Sequence, residues 1–164
     1  MLILGIDPGS KFLGWSVIET TGKKYVLLDC GLITPSKAKS IDELGYYTIF
    51  KELLKILKLH NPDHCYIERY MPFKGRSKGA YVVPSVIAIV RLCWYSFSKT
   101  KANLVPASSW KKVVMREPYA DKAEIKKFVL KLRLTKDKTL KQDTYDSMLI
   151  SYYGHLHKNK LIVP

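Results

Sequence analysis

The chain has 164 residues, 47% of them hydrophobic, and its 28 Lys and Arg exceed its 14 Asp and Glu to give a formal net charge of +14. This length suits a single domain, residues 1–164, that can bury roughly 70% of its unfolded surface without a disulfide or a structural metal. Because folding requires no such basic excess, the charge favours nucleic acid as a partner over a solubility role or an anionic membrane.

Neither the N-terminus nor the cysteines indicate export or membrane insertion. The opening apolar run, MLILGI, is too short for a signal peptide, and no run approaches the length of a membrane span. Cys30, Cys65 and Cys93 are odd in number and lie in apolar runs, which predicts reduced core thiols. We therefore expect the cytoplasm of a bacterial or virus-infected cell.

The first sixty residues predict a three-stranded meander followed by a helix. Short apolar runs bounded by turn residues predict strands at 2–7, 13–20 and 24–33. The predicted helix spans 41–59 and is closed by Asn61-Pro62. Its apolar residues at helical spacing are Leu44, Tyr47, Leu54 and Leu57.

The rest of the chain predicts two strands and four helices. The strands are 64–69 and 102–106, and the helices are 81–98, a short one capped by Ser108 or Ser109, 121–132 capped by Asp121, and 141–157. A basic, glycine-containing loop at 71–80 follows the fourth strand. The order βββαβαβ followed by helices predicts an α/β fold with a mixed sheet.

Two acids end predicted buried strands. Asp7 closes LILGID and Glu68 closes CYIE. Active sites of open α/β sheets lie at the carboxyl ends of strands, so these acids would converge if their strands are neighbours. The alternatives are that Asp7 caps the Pro8-Gly9 turn and that Glu68 pairs with Arg69.

A second pair of acids, Asp143 and Asp146, is spaced to share one face of the last helix. Two acids on one face repel each other unless a cation lies between them, although a solvated acidic face is the alternative. Four acids in a basic protein favour an oxygen-ligand site for Mg²⁺, with Mn²⁺ as a substitute. Two such ions about 4 Å apart can hydrolyse a phosphodiester. These features predict a nuclease.

The sequence resembles the RuvC-type Holliday-junction resolvases of the RNase H-like superfamily. The matching stretches are LGIDPGSKFLGWSVIE, PDHCYIERYMPFK, ASSWKKVV, ADKAEIKKFV and DTYDSMLISYY, in the family's order and over nearly the whole chain. The resemblance implies a five-stranded mixed β-sheet flanked by α-helices and a homodimer. It implies that the family's metal-binding acids are Asp7, Glu68, Asp143 and Asp146, and that its two functional lysines, which would act in catalysis and contact DNA, are Lys111 and Lys122.

The family also has an aromatic residue shortly after the glutamate, where it stacks at the junction centre. This chain has Met71 at the gapless position, with Tyr70 and Phe73 as adjacent candidates. Core packing is the alternative for Tyr70. In the basic loop we expect Lys74, Arg76 and Lys78 to contact DNA.

Three functions compete. The first is a Mg²⁺-dependent endonuclease that resolves four-way junctions as a homodimer and needs no nucleotide cofactor. The second is a broader nuclease that also cuts forks, flaps and three-way branches, and the third is a basic module that binds DNA without cutting it. For the dimer, we expect self-association through a face of the helix 81–98 next to its stripe of Val86, Val90, Trp94 and Phe97, which could itself cover the sheet.

Overall fold

The computed structural model describes residues 1–35, 42–71 and 81–161. Its strands are β1 (Leu2–Pro8), β2 (Leu13–Thr21), β3 (Lys24–Ile33), β4 (His64–Arg69) and β5 (Asn103–Pro106). Its helices are α1 (Glu43–His60), α2 (Val82–Ser98), α3 (Ala107–Met115), α4 (Lys122–Lys131) and α5 (Gln142–Lys158). The predicted element order is confirmed.

The five strands form one mixed sheet in the order β3-β2-β1-β4-β5. The first three strands are an antiparallel meander, and β4 and β5 extend it in parallel on the other side of β1. The central strands β1 and β4 are therefore direct neighbours. This arrangement confirms the expected five-stranded mixed sheet and places the ends of β1 and β4 at the same edge.

Helices cover both faces of the sheet. One buried cluster joins β1, β2 and β4 to α1 and α2, with Leu53 and Trp94 as helical members. The other joins the opposite face to α3, α4 and α5, with Trp110 and Met148 at its centre. Alternation along β1 explains the division, because Ile3 packs in the second cluster and Leu4 in the first.

The buried face of α1 differs from the expected one. Leu44 and Tyr47 are 70% and 60% exposed, and the residues that α1 buries are Gly45, Ile49, Leu53 and Leu57. The two exposed residues lie in the first turns, on the outer side of the helix. The predicted end at Asn61 is confirmed by its left-handed backbone.

Two helix starts can be compared with their predicted caps. Asp121 caps α4 in a capping box with Glu124, as predicted. The serine cap predicted for α3 is wrong, because the helix already begins at Ala107 and Ser108 and Ser109 lie inside its first turn. Pro106 occupies the cap position without a side-chain hydrogen bond.

In the described ranges, no helix has the length and hydropathy that crossing a lipid bilayer requires.

Candidate active site

Asp7 and Glu68 lie side by side at one edge of the sheet. The parallel register pairs Ile6 of β1 with Ile67 of β4, so the next residue of each strand is an acid. Both carboxylates are partly buried. Because β1 and β4 are neighbours, Asp7 and Glu68 converge as the sequence analysis required.

Small residues on the sheet allow α5 to lie close above β1 and β2. A Cβ at Gly14 would collide with the carbonyl oxygen of Asp143, and a Cβ at Gly5 would collide with that of Ser147. Ser16 fastens this contact, since its Oγ donates to the carbonyl of Ser147 at 2.8 Å in a buried position. The first turns of α5 are thereby held against the strand end that carries Asp7.

Asp143 and Asp146 lie on the N-terminal turns of α5. Asp143 is in the first turn, where the helix dipole favours negative charge. Asp146 accepts a hydrogen bond from Gln142 Nε2 at 3.0 Å, one helical turn back. Because both aspartates are partly buried, a fully solvated acidic face does not describe them.

The pKa values of Asp7, Glu68 and Asp146 are all raised, by burial and in part by neighbouring carboxylates. Burial is the largest cause that raises the pKa of Asp7 well above its ordinary value, and repulsion by Glu68, Asp146 and Asp143 raises it further. Burial also raises the pKa of Glu68, and it raises the pKa of Asp146 to about 7 with contributions from Glu68 and Asp143. A shared, electrostatically strained cluster of acids is typical of a functional site.

Lys111 is the basic side chain whose charge lowers the pKa of Asp7, Glu68 and Asp146, against the effect of burial. Its Nζ donates to the carbonyl oxygen of Ala120 at 3.0 Å. Lys122 is exposed in the first turn of α4. The structure thus brings Lys111 to the acids and leaves Lys122 at the surface nearby.

Sequence reasoning missed three side chains that shape the site. Trp110 Nε1 donates to Glu68 Oε2 at 2.8 Å, which partly offsets the effect of burial on the pKa of Glu68. Gln142 holds Asp146, and Lys141 Nζ lies 3.4 Å from the centre of the Phe12 ring. The only signal in the sequence was position: Trp110 precedes Lys111, and the pair Lys141-Gln142 precedes Asp143.

The expected DNA-contacting residues are only partly described. Tyr70 is partly buried and packs against the cluster under α1 and α2. Met71, next to it, is 52% exposed, and both line a depression of about 160 Å³ beside Glu68. Phe73, Lys74, Arg76 and Lys78 lie outside the described residues.

Comparison with known proteins identifies a family for this chain. The family model for crossover junction endodeoxyribonuclease RuvC matches residues 3–152. A RuvC from Alkaliphilus oremlandii is 33% identical over 158 residues, which are 96% of this chain and 93% of that protein. One from Halothermothrix orenii is 30% identical over 152 residues, 92% of this chain and 90% of that protein.

A solved structure shares the fold. Thermus thermophilus RuvC, in complex with a Holliday junction substrate, superposes with a TM-score of 0.84 at 20% identity, covering 98% of this chain and 96% of that one. The sequence match over most of the chain confirms the resemblance drawn from the motifs. The chain belongs to the RuvC family of crossover junction endodeoxyribonucleases.

Proposed function

We propose that this protein resolves four-way DNA junctions by Mg²⁺-dependent hydrolysis of phosphodiester bonds, with Mn²⁺ as a substitute. The observation that carries the proposal is the meeting of Asp7 and Glu68 at the ends of neighbouring strands, under the acids of α5. Such a cluster in a chain of net charge +14 fits a polyanionic substrate cut at a carboxylate metal site.

The acids suit hard divalent cations. Asp7, Glu68, Asp143 and Asp146 supply oxygen donors alone, which Mg²⁺ and Mn²⁺ prefer. In the described ranges, no three His, Cys, Asp or Glu side chains are gathered closely enough to enclose an ion as they stand. A bound divalent ion would offset the mutual repulsion of these carboxylates.

The residues of the chain contribute position and charge to the reaction. Two bound ions would activate a water molecule and stabilise the leaving oxygen. Trp110 and Gln142 orient Glu68 and Asp146 through hydrogen bonds, as supporting residues of metal sites commonly do. Lys111, close enough to act on three of the acids, is placed to stabilise charge that develops on the phosphate.

A homodimer is part of the proposal. The stripe that we expected on α2 is mostly core, since Val86, Val90 and Trp94 are buried. A neighbouring face is exposed and largely apolar: Ala88, Leu92 and Tyr95 follow one another at helical spacing, with Arg91 beside them, and Leu92 and Tyr95 are 60% and 55% exposed. Two copies joined there about a two-fold axis would present two sites to a substrate of the same symmetry.

The direct test compares synthetic DNA substrates. A four-way junction, a fork and a linear duplex are incubated with the protein in Mg²⁺, in Mn²⁺ and in EDTA. We expect paired cuts in the junction with either metal, weak or absent cutting of the other substrates, and binding without cutting in EDTA.

Two outcomes would favour the other functions. Equal cutting of forks, flaps and three-way branches would support a broader branched-DNA nuclease, and junction binding without cutting in either metal would support a binding module.

The three free cysteines, Cys30, Cys65 and Cys93, fit a reducing compartment, for which we propose a bacterial or virus-infected cytoplasm.

A further inference from the structure

The turn between α3 and α4, residues 116–121, projects an aromatic side chain into solvent. Tyr119 is 88% exposed, whereas the next residue, Ala120, is 2% exposed and belongs to the core. The backbone at Tyr119 is fixed, because its N–H donates to Glu117 Oε1 at 3.1 Å and the N–H of Ala120 donates to the carbonyl of Glu117 at 3.3 Å. The ring is therefore presented from an ordered turn.

This turn is joined to the candidate active site. The carbonyl of Ala120, one residue after Tyr119, accepts the hydrogen bond from Lys111 Nζ. Lys111 in turn acts on the acids, and its neighbour Trp110 binds Glu68. Tyr119 consequently lies beside the group that we expect to face the reacting phosphate.

Charged residues of both signs flank Tyr119 in the chain, and the acids among them are Glu117, Asp121 and Glu124. Lys112, Arg116 and Lys122 are exposed on α3, on the turn and on α4. The two acids of the turn are engaged by backbone groups, since Glu117 accepts from Tyr119 and Asp121 accepts from the N–H of Glu124 at 2.9 Å. Within the described residues, none of these basic side chains forms an ion pair.

An exposed aromatic ring on an ordered turn, with cations nearby in the chain that form no ion pair, is a combination that can bind single-stranded or unstacked nucleic acid. The cations attract the phosphates, and the ring offers a face on which a base can stack. A four-way junction interrupts base stacking at its branch point and so supplies such a base.

We propose that Tyr119 stacks on a nucleobase at or next to the branch point and so helps to position the strand to be cut. The proposal rests on the proposed junction substrate and adds a second aromatic contact to the one expected after Glu68. A tyrosine hydroxyl is not needed for stacking, so phenylalanine should replace it and a small side chain should not.

The test uses the full chain and a four-way junction with 2-aminopurine placed singly at each base around the branch point. Binding is measured in EDTA for wild type, Tyr119→Phe and Tyr119→Ala. We expect Tyr119→Ala to weaken junction binding by about 5- to 100-fold, as the loss of one aromatic stack implies. At one position, wild type and Tyr119→Phe should quench the fluorescence, and Tyr119→Ala should leave it bright.

Tyr47→Ala is the matched control, because Tyr47 is 60% exposed but lies on α1, on the other side of the sheet. It should bind the junction as wild type does. Unchanged binding by Tyr119→Ala would overturn the proposal, as would an equal loss with Tyr119→Phe, which would indicate a hydroxyl contact. The proposal would also be overturned if Tyr119→Ala weakened binding to linear duplex DNA as much as it weakens binding to the junction. Since these measurements need no cleavage, they are separate from the result that decides the proposed function, cutting by wild type in Mg²⁺.

Discussion

Three acids of the site, Asp7, Glu68 and Asp146, destabilise the folded chain when they are ionised and no cation lies between them. Burial opposes the ionisation of Asp7, Glu68 and Asp146, and the neighbouring carboxylates oppose it further at Asp7 and Asp146. A bound metal ion would outweigh this repulsion and the cost of burial, because it attracts each carboxylate as a ligand. Stability and function therefore make opposite demands on the same side chains.

The variant Asp146→Asn should have opposite effects on folding stability and on cleavage activity. The pKa of Asp146 is about 7 in the folded chain against an ordinary 3.8, so the folded state holds this proton more tightly than the unfolded state does. Its ionisation therefore lowers stability as pH rises from 3.8 towards 7, and the loss is complete above that range. In EDTA, melting curves should show Asp146→Asn to be more stable than wild type at about pH 8, by about 3 °C or more, and equal to it near pH 4.

In Mg²⁺ the same variant should fail to cut a four-way junction, because a ligand charge is missing, yet bind it at least as tightly as wild type. The amide oxygen of the substituted side chain can still accept the hydrogen bond from Gln142, so local structure is preserved. Cleavage at the parental rate would show that Asp146 is not a ligand. A lower melting temperature than wild type at about pH 8 in EDTA would contradict the electrostatic argument.

Alanine substitutions at Lys111 and Lys122 should affect different steps, the cleavage rate at Lys111 and DNA binding at Lys122. Lys111 reaches the acids, so Lys111→Ala should lower the single-turnover cleavage rate at saturating protein by more than about tenfold. Lys122 is exposed, so Lys122→Ala should mainly weaken binding. Lys112→Ala, at an exposed neighbour of Lys111, controls for the loss of one positive charge. A full rate for Lys111→Ala at saturation would place this lysine in binding alone.

At the scale of elements, the distance between α5 and the sheet determines whether the acids meet. Gly14→Ala should push α5 away from β2, because the added Cβ collides with the carbonyl of Asp143. We expect a loss of about 1–3 kcal/mol in unfolding free energy. The cleavage rate should also fall although all four acids remain.

The control for Gly14→Ala is Gly22→Asn. Gly22 has a positive φ of 60° and open space around it, and asparagine tolerates that conformation. Urea unfolding and single-turnover cleavage should both show little change there. Wild-type cleavage by Gly14→Ala would mean that the position of α5 is not critical.

The sequence was sufficient to predict the order of the elements and to select the four acids as candidates, because both depend on local pattern. Strand ends are marked by polarity, as at Asp7, and the pair Asp143 and Asp146 follows helical spacing. The adjacency of β1 and β4 follows from tertiary pairing, which local pattern did not predict.

Contacts that depend on packing angles were not predictable. The hydrogen bond from Trp110 to Glu68 joins residues 42 positions apart. The local sequence pattern around neither residue predicts this contact. The exposure of Leu44 and Tyr47 likewise depends on how α1 lies on the sheet, since several apolar stripes fit its sequence. The cap of α3 was missed because Pro106 ends β5 and begins the helix at once.

At the scale of the whole molecule, one chain carries one site, whereas resolution of a junction requires two cuts in strands of like polarity. A two-fold dimer meets this requirement, and α2 offers Ala88, Leu92 and Tyr95 as an exposed, largely apolar face. Introducing a charge into the middle of this face should prevent association without disturbing the buried face, where Val90 and Trp94 pack.

Leu92→Glu should therefore sediment as a monomer where wild type sediments as a dimer. Leu59→Glu is the control, since Leu59 is 74% exposed and belongs to α1 and not to α2. On a supercoiled plasmid that extrudes a cruciform, wild type and the control should give linear product directly, and Leu92→Glu should give nicked circles. Mixing wild type with excess Asp7→Asn should also give nicked circles, because a mixed dimer cuts once. If Leu92→Glu still forms dimers, the interface must lie on another surface. The dimer itself would be refuted if wild type sedimented as a monomer on junction DNA and nicked each strand independently.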